Sequence, residues 1–260
     1  MQDLKIALLQ TSLHWENPTA NRSMLEEKIW QLKEQVDVIV LPEMFTTGFT
    51  MNAAALAEPM NLHTFKWMQQ MAAQTQAALC GSYIVQESGK FYNRLIWMFP
   101  NGTYKTYDKR HLFRMGGEHE VYGAGQQQLI VEWKGWKICP MVCYDLRFPV
   151  WSRNVANAYD ALIYVANWPQ ARVHVWSTLL KARAMENSAY VAGVNRVGED
   201  GLEIPYTYNG ASASINFKGE ILWEKENEEA WGISVWEANA LREFREKFPA
   251  WKDADQFNIQ

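Results

Sequence analysis

The chain is short of cysteine, of excess charge and of long hydrophobic runs, and each shortage removes a class of protein. Cys80, Cys139 and Cys143 are the only three cysteines in 260 residues. So odd and sparse a set argues against a disulfide framework and suits a reduced, cytoplasmic setting for a free thiol. The formal net charge of -4 gives no electrostatic footing on nucleic acid or on an anionic membrane surface. The longest apolar stretches, such as Ala161 to Ala166, fall far short of the roughly 20 residues that cross a bilayer. Asp3 and Lys5 follow the first Met almost at once, so no secretory leader is expected. Pro, Gly and Ser gather nowhere into a linker, and no repeat or low-complexity tract appears. One domain over residues 1–260 is the expectation.

What is abundant is apolar surface: 48% of residues are hydrophobic, enough in a chain of this length for a sizeable core. Largely apolar segments at Leu4 to Thr11, Val36 to Leu41, Ala77 to Gln86, Trp136 to Val142, Ala161 to Ala166 and Tyr190 to Asn195 read as strands, several covered on both faces. Ala20 to Gln35, Asn61 to Gln76, Val173 to Ser188 and Glu237 to Phe248 carry helical spacing, and Pro149 to Tyr159 reads as a short helix. Hairpins are expected at Pro100-Asn101-Gly102, Lys134-Gly135 and Lys218-Gly219. They join Phe91 to Phe99 with Thr103 to Tyr107, Leu129 to Trp133 with Trp136 to Val142, and Ala211 to Phe217 with Glu220 to Glu224. Alternating strands and helices interrupted by hairpins predict an α/β fold with mixed sheets.

Three of these strands end in reactive side chains. Glu43 follows Val40-Leu41-Pro42, Lys109 follows Tyr107-Asp108, and Cys143 follows Met141-Val142. An acid, a cation and a thiol delivered from strand ends can meet in one pocket and perform acyl transfer from an amide. Cys143 would be the nucleophile, held by a tight turn whose backbone N–H groups face the same space. A buried core thiol is the plainer reading of a free cysteine, and it fits Cys80 and Cys139 inside their strands. Glu43 is the candidate general base, and Lys109 the cation that favours thiolate and oxyanion. Histidine is the usual thiol partner, yet none of His14, His63, His111, His119 and His174 carries a distinguishing signature. A papain-like Cys–His pair with His111 therefore stays open. Zinc on Cys139 and Cys143 would need two further ligands, and no second pair exists.

Leu41-Pro42-Glu43, Tyr107 to Phe113 and Cys143 to Pro149 together resemble the three signatures of the nitrilase superfamily of carbon–nitrogen hydrolases. Lys181 to Asn187 and Tyr208 to Ser212 add to a likeness that covers nearly the whole chain. The resemblance implies a four-layer α-β-β-α sandwich with two mixed β-sheets, often paired as a homodimer. It implies Cys143 as nucleophile, Glu43 as base, and Lys109 with the backbone N–H of Tyr144 as oxyanion donors. No metal or organic cofactor is implied. A second active-site glutamate is also implied, with Glu118 and Glu120 as candidates. Family spacing to Gly125 favours Glu118.

The sequence after Cys143 is similar to the amide-hydrolysing members, and most of all to the omega-amidase branch. That branch acts on monoamides of 2-oxo dicarboxylic acids, 2-oxoglutaramate and 2-oxosuccinamate. A substrate carboxylate calls for an arginine; Arg172 is the candidate and Arg147 is expected to be structural. Phe45, Tyr107 and Trp168 are candidate pocket walls. The alternatives are a related amidase for another small amide such as deaminated glutathione, an N-carbamoyl hydrolase, a non-enzymatic binding protein, and a redox-sensing cysteine protein.

Overall fold

The computed structural model describes residues 1–255 and 257. The chain opens with β1 (Leu4–Gln10), α1 (Pro18–Trp30), β2 (Val38–Val40), α2 (Ala53–Leu56), β3 (Glu58–Pro59) and α3 (His63–Thr75). Next come β4 (Ala78–Glu87), β5 (Lys90–Met98), β6 (Tyr104–Asp108), α4 (Glu118–Val121), β7 (Val131–Trp133) and β8 (Trp136–Val142). They are followed by α5 (Pro149–Ser152), β9 (Ala161–Ala166), α6 (Val173–Asn187), β10 (Tyr190–Asn195) and β11 (Val197–Glu199). The last elements are β12 (Thr207–Ile215), β13 (Ile221–Glu226), β14 (Ala230–Trp236) and α7 (Ala238–Lys247).

The strands form two mixed sheets of 7 strands each. One runs β14-β1-β2-β4-β5-β6 with β3 beside β4, and the other runs β11-β12-β10-β9-β8-β7 with β13 beside β12. Period-2 alternation in the first sheet separates two cores. Leu4, Ile6 and Leu8 of β1, with Val38 and Val40 of β2, face the second sheet. Ala7, Leu9 and Ile39 face the other way, onto Leu25 and Ile29 of α1 and Phe65, Met68 and Met71 of α3. On the outer side of the second sheet, Trp176, Leu180 and Ala184 of α6 close the core. The order of layers is therefore helix, sheet, sheet, helix, the α/β sandwich expected. Strands covered on both faces need continuous apolar sequence, which is why Ala161–Ala166 has no polar residue.

The expected hairpins form. Lys134 and Gly135 both take left-handed φ, 49° and 84°, the primed turn that matches strand twist. Some elements depart from the expectation. Helix α1 starts at Pro18, whose fixed φ suits a first turn, behind Asn17, whose side chain caps Ala20 N at 3.1 Å. The helix expected over Pro149 to Tyr159 stops at Ser152. Ala156 and Asn157 there take φ of 53° and 54°, and Asn154 closes a loop onto Tyr159. Strand β14, absent from the sequence expectation, pairs antiparallel with β1 along its whole length.

Candidate active site

Parallel strands bring the site together. In the first sheet β2 is parallel to β1 and β4, and the chain leaves it through Leu41-Pro42 to Glu43. In the second sheet β8, β9 and β10 are parallel neighbours, so Cys143, Asn167 and Asn195 stand at one common edge. Carboxyl ends of adjacent parallel strands are where α/β proteins place chemistry. Lys109 follows β6, and its N–H bonds Asn93 O of β5 at 3.0 Å.

Glu43, Lys109, Glu118 and Cys143 converge, all buried. Lys109 Nζ stands 2.9 Å from Glu43 Oε1, and 3.0 and 2.9 Å from the two carboxylate oxygens of Glu118. Asn93 Nδ2 donates to Glu43 Oε1 at 2.8 Å and to Glu118 Oε1 at 3.4 Å. The N–H of Asn167 holds Glu43 Oε2 at 2.8 Å, and Phe113 N holds Glu118 Oε2 at 2.5 Å. Burial opposes the Lys109 charge, but Glu118 and Glu43 outweigh it and its pKa stands raised. Burial raises the Glu118 carboxyl, with Lys109 pulling against it and Glu43 adding to it. Glu120, the competing candidate, lies at the surface with its side chain 75% exposed.

Cys143 takes φ of 45°, a left-handed conformation for a residue with a Cβ. Such strain is held only where the surroundings fix it. Asp145 supplies that hold by accepting from Val142 N at 3.1 Å, Tyr107 Oη at 2.7 Å and His111 N at 2.9 Å. Arg183 of α6 adds a bond to Leu146 O at 2.6 Å. The thiol faces Asn167 O at 3.9 Å. Its pKa is pushed well above the ordinary cysteine value, first by burial and then by the Glu43 charge, against the pull of Lys109. His111 is not its base: the ring bonds Asp145 at 2.8 Å and stacks on Phe148 at 3.7 Å.

A cavity of about 170 Å³ opens at Cys143, and Lys109, Tyr144, Asn167, Trp168, Arg147 and Arg172 share its wall. Asn195 clamps Trp168 through both its N–H and its carbonyl, at 2.7 and 2.9 Å. Arg172 lies 5.5 Å from the Phe113 ring centre and Arg147 5.3 Å from that of Trp168. Neither guanidinium pairs with a carboxylate among the described residues. Within the same residues, no group of three or more His, Cys, Asp or Glu is placed to hold a metal ion.

Three expectations are corrected. Phe45 is off the wall: Met44 turns the chain at φ 42°, and Phe45 packs on Trp67 and Tyr83 on the helix side of the sheet. Gly81 makes room for it, since a Cβ there would meet the Phe45 ring at 2.9 Å. Tyr107 is also off the wall, spent on Asp145 and on the Trp151 indole N–H at 3.0 Å. Arg147, expected to be structural, shares the wall with Arg172. Sequence reasoning missed Asn93, Asn167 and Asp145 as site builders. Asn93 is buried at 1% exposure, which its neighbour Arg94 in the sequence of β5 does not signal.

Comparison with known proteins follows the same lines. A family model for carbon–nitrogen hydrolases matches residues 5–241. The chain is 50% identical to the omega-amidase YafV of Escherichia coli K12 over 100% of both chains. It is 31% identical to a 2-oxoglutaramate amidase of Bacillus subtilis, covering 95% of this chain and 96% of that one. The crystal structure of XC1258 from Xanthomonas campestris, a CN-hydrolase superfamily protein with an arsenic adduct in its active site, superposes with a TM-score of 0.97. It is 44% identical and covers 100% of both chains.

Proposed function

The chain belongs to the carbon–nitrogen hydrolase family, and from that premise we propose how its residues divide the work of an omega-amidase. It is a hydrolase of amide carbon–nitrogen bonds, and its substrates are the terminal amides of 2-oxo dicarboxylic acid monoamides, 2-oxoglutaramate and 2-oxosuccinamate. The observation that carries this reading is the cavity itself. It holds the Cys143 thiol beside the buried Glu43–Lys109–Glu118 cluster, and two arginines that pair with no carboxylate among the described residues.

Cys143 Sγ attacks the amide carbon as Glu43 takes the thiol proton. Burial and the Glu43 charge hold the thiol pKa up, against Lys109, and Glu43 is the base placed to take the proton. The oxygen becomes an oxyanion, held by Lys109 Nζ and the Tyr144 N–H. As the intermediate collapses, the C–N bond breaks and Glu43 gives its proton to nitrogen. Ammonia leaves and a thioester remains. Water then gives a proton to Glu43 and attacks the thioester through a second oxyanion. The C–S bond breaks, the sulfur recovers the proton, and the acid departs. Glu118 holds Lys109 in place through two contacts, at 3.0 and 2.9 Å. The carboxylate of the substrate pairs with Arg172 and Arg147, whose planar forks can meet it with two hydrogen bonds, and Trp168 gives the apolar wall between.

The whole chain acts as one domain in the cytoplasm, where its three free cysteines stay reduced. Exposed Val150, Val155 and Met185 beside the cysteine-bearing sheet support pairing into a homodimer.

The test is ammonia release from 2-oxoglutaramate by wild type and Cys143→Ala, with glutamine, succinamate and a simple nitrile alongside. Turnover that favours the oxo-amide and depends on Cys143 supports the reading. Equal turnover of all the amides, or none by folded protein, removes the substrate assignment.

A further inference from the structure

The leaving nitrogen of an amide carries two N–H donors, and a site that selects amides must offer them acceptors. Near the thiol most acceptors are already taken. Glu43 Oε1 receives Lys109 and Asn93, and Glu43 Oε2 receives the Asn167 N–H. The Asn167 carbonyl faces the thiol. Glu43 Oε2 keeps a lone pair for the proton it must take, and one acceptor beside it has no partner at all among the described residues: the buried Asn167 Oδ1.

Its identity as oxygen is fixed by its twin. Asn167 Nδ2 stands 2.6 Å from the main-chain O of Glu43, a carbonyl that only an N–H can face. The remaining atom of the amide must then be the acceptor. Asn167 is 5% exposed and lies on the cavity wall with Cys143. A buried carbonyl is rarely left without a donor in a native protein, so an unpaired one on a residue that borders the cavity points to a partner supplied when the ligand fills it. Asn93 Oδ1 is also unpaired, but Asn93 sits behind the two carboxylates and off the wall.

We propose that Asn167 is a specificity-determining residue that recognises primary amides, its Oδ1 accepting one N–H of the leaving nitrogen. This rests on the amidase reading of Cys143. An ester presents an alkoxy oxygen and a nitrile a bare nitrogen, neither of which can donate to Oδ1. Asn167 therefore favours acylation by amides. Once the C–N bond has broken and nitrogen has gained its proton, the thioester left behind has no N–H for Oδ1.

The experiment compares an amide with the methyl ester of the same acyl group. The first pair is 2-oxoglutaramate and the ω-methyl ester of 2-oxoglutarate; the second is succinamate and monomethyl succinate. kcat/KM is measured for wild type, Asn167→Ala and Asn167→Ser, with thermal melting to verify folding. Losing the Nδ2 bond to Glu43 affects amide and ester alike, so the ratio within a pair isolates Oδ1. The amide-to-ester ratio should fall roughly tenfold in Asn167→Ala, the effect of one neutral hydrogen bond. Asn167→Ser, which keeps an oxygen, should fall less and serves where alanine does not fold. Parallel loss on amide and ester, with the ratio unchanged, overturns the proposal and leaves Asn167 as a support for Glu43. Equal use of 2-oxoglutaramate and succinamate alongside a shifted ratio would remove the oxo-acid assignment while upholding Asn167.

Discussion

Replacing Lys109 by Met tests the electrostatic account most directly. The wild-type cluster of one ammonium and two carboxylates carries a formal charge of -1, all of it buried. Lys109→Met raises this to -2 with only Asn93, Asn167 and Phe113 N–H groups to compensate. At about 3 Å and an effective dielectric near 20, each lost contact is worth about 5 kcal/mol gross. Desolvation of Lys109 offsets part of that, so a net loss of about 3–5 kcal/mol is expected for breaking a buried pair.

The sign of the pH dependence follows. Burial already raises Glu118, and without Lys109 it rises further. The native state then holds a proton that the unfolded state has lost. The variant therefore gains stability as pH falls through the raised native pKa toward the unfolded value, about 4.3, and loses it as pH rises. Urea unfolding of wild type and variant across pH 5 to 8 reads this directly. The double variant Lys109→Met with Glu118→Gln returns the formal charge to -1 and should recover much of the stability, though not the activity. A double variant no more stable than Lys109→Met, with equal pH slopes in all three proteins, would refute the reasoning.

Cys143→Gly should unfold about 0.5–1 kcal/mol less readily than Cys143→Ala, because glycine adopts the φ of 45° without strain; a lower melting temperature for the glycine variant would deny that the elbow is strained. Glu43→Gln should abolish turnover and yet lower the Cys143 pKa, since the Glu43 charge helps to raise it. Thiolate absorbance followed against pH would show the shift, and an unmoved or higher midpoint would count against it. Arg172→Ala and Arg147→Ala should each raise KM for 2-oxoglutaramate by roughly tenfold or more, the worth of a charge-assisted hydrogen bond. Both should spare a simple neutral amide, so an equal change on the two substrates would place the arginines outside carboxylate recognition.

Motifs that couple chemistry to a strand end could be read along the chain. Pro42 stops β2 and puts Glu43 just beyond it, and the polarity change after Val142 marks where Cys143 leaves β8. The family spacing that linked Glu118 to Gly125 has a physical basis: a Cβ at Gly125 would come within 2.0 Å of Asp108 O. Only glycine lets this segment pack against the strand end that presents Lys109, with Gly125 N bonding Lys109 O at 2.9 Å. Less legible was β14, whose Ala-Trp-Gly-Ile-Ser-Val-Trp segment mixes small and polar residues because Gly232 must clear Trp223.

The sequence by itself determined most of the strands and helices and the three strand-end residues, because burial on both faces and termination at polar turns are local demands, while the layers were legible only through the family resemblance. Only the tertiary structure decided who meets whom. It sent Phe45 to the helix side of its sheet and brought Arg147 beside Arg172. It also closed Asn93 and Asn167 around Glu43 from opposite sheets. Those outcomes depend on how two twisted sheets meet edge by edge, and on hydrogen bonds between residues as many as 124 positions apart.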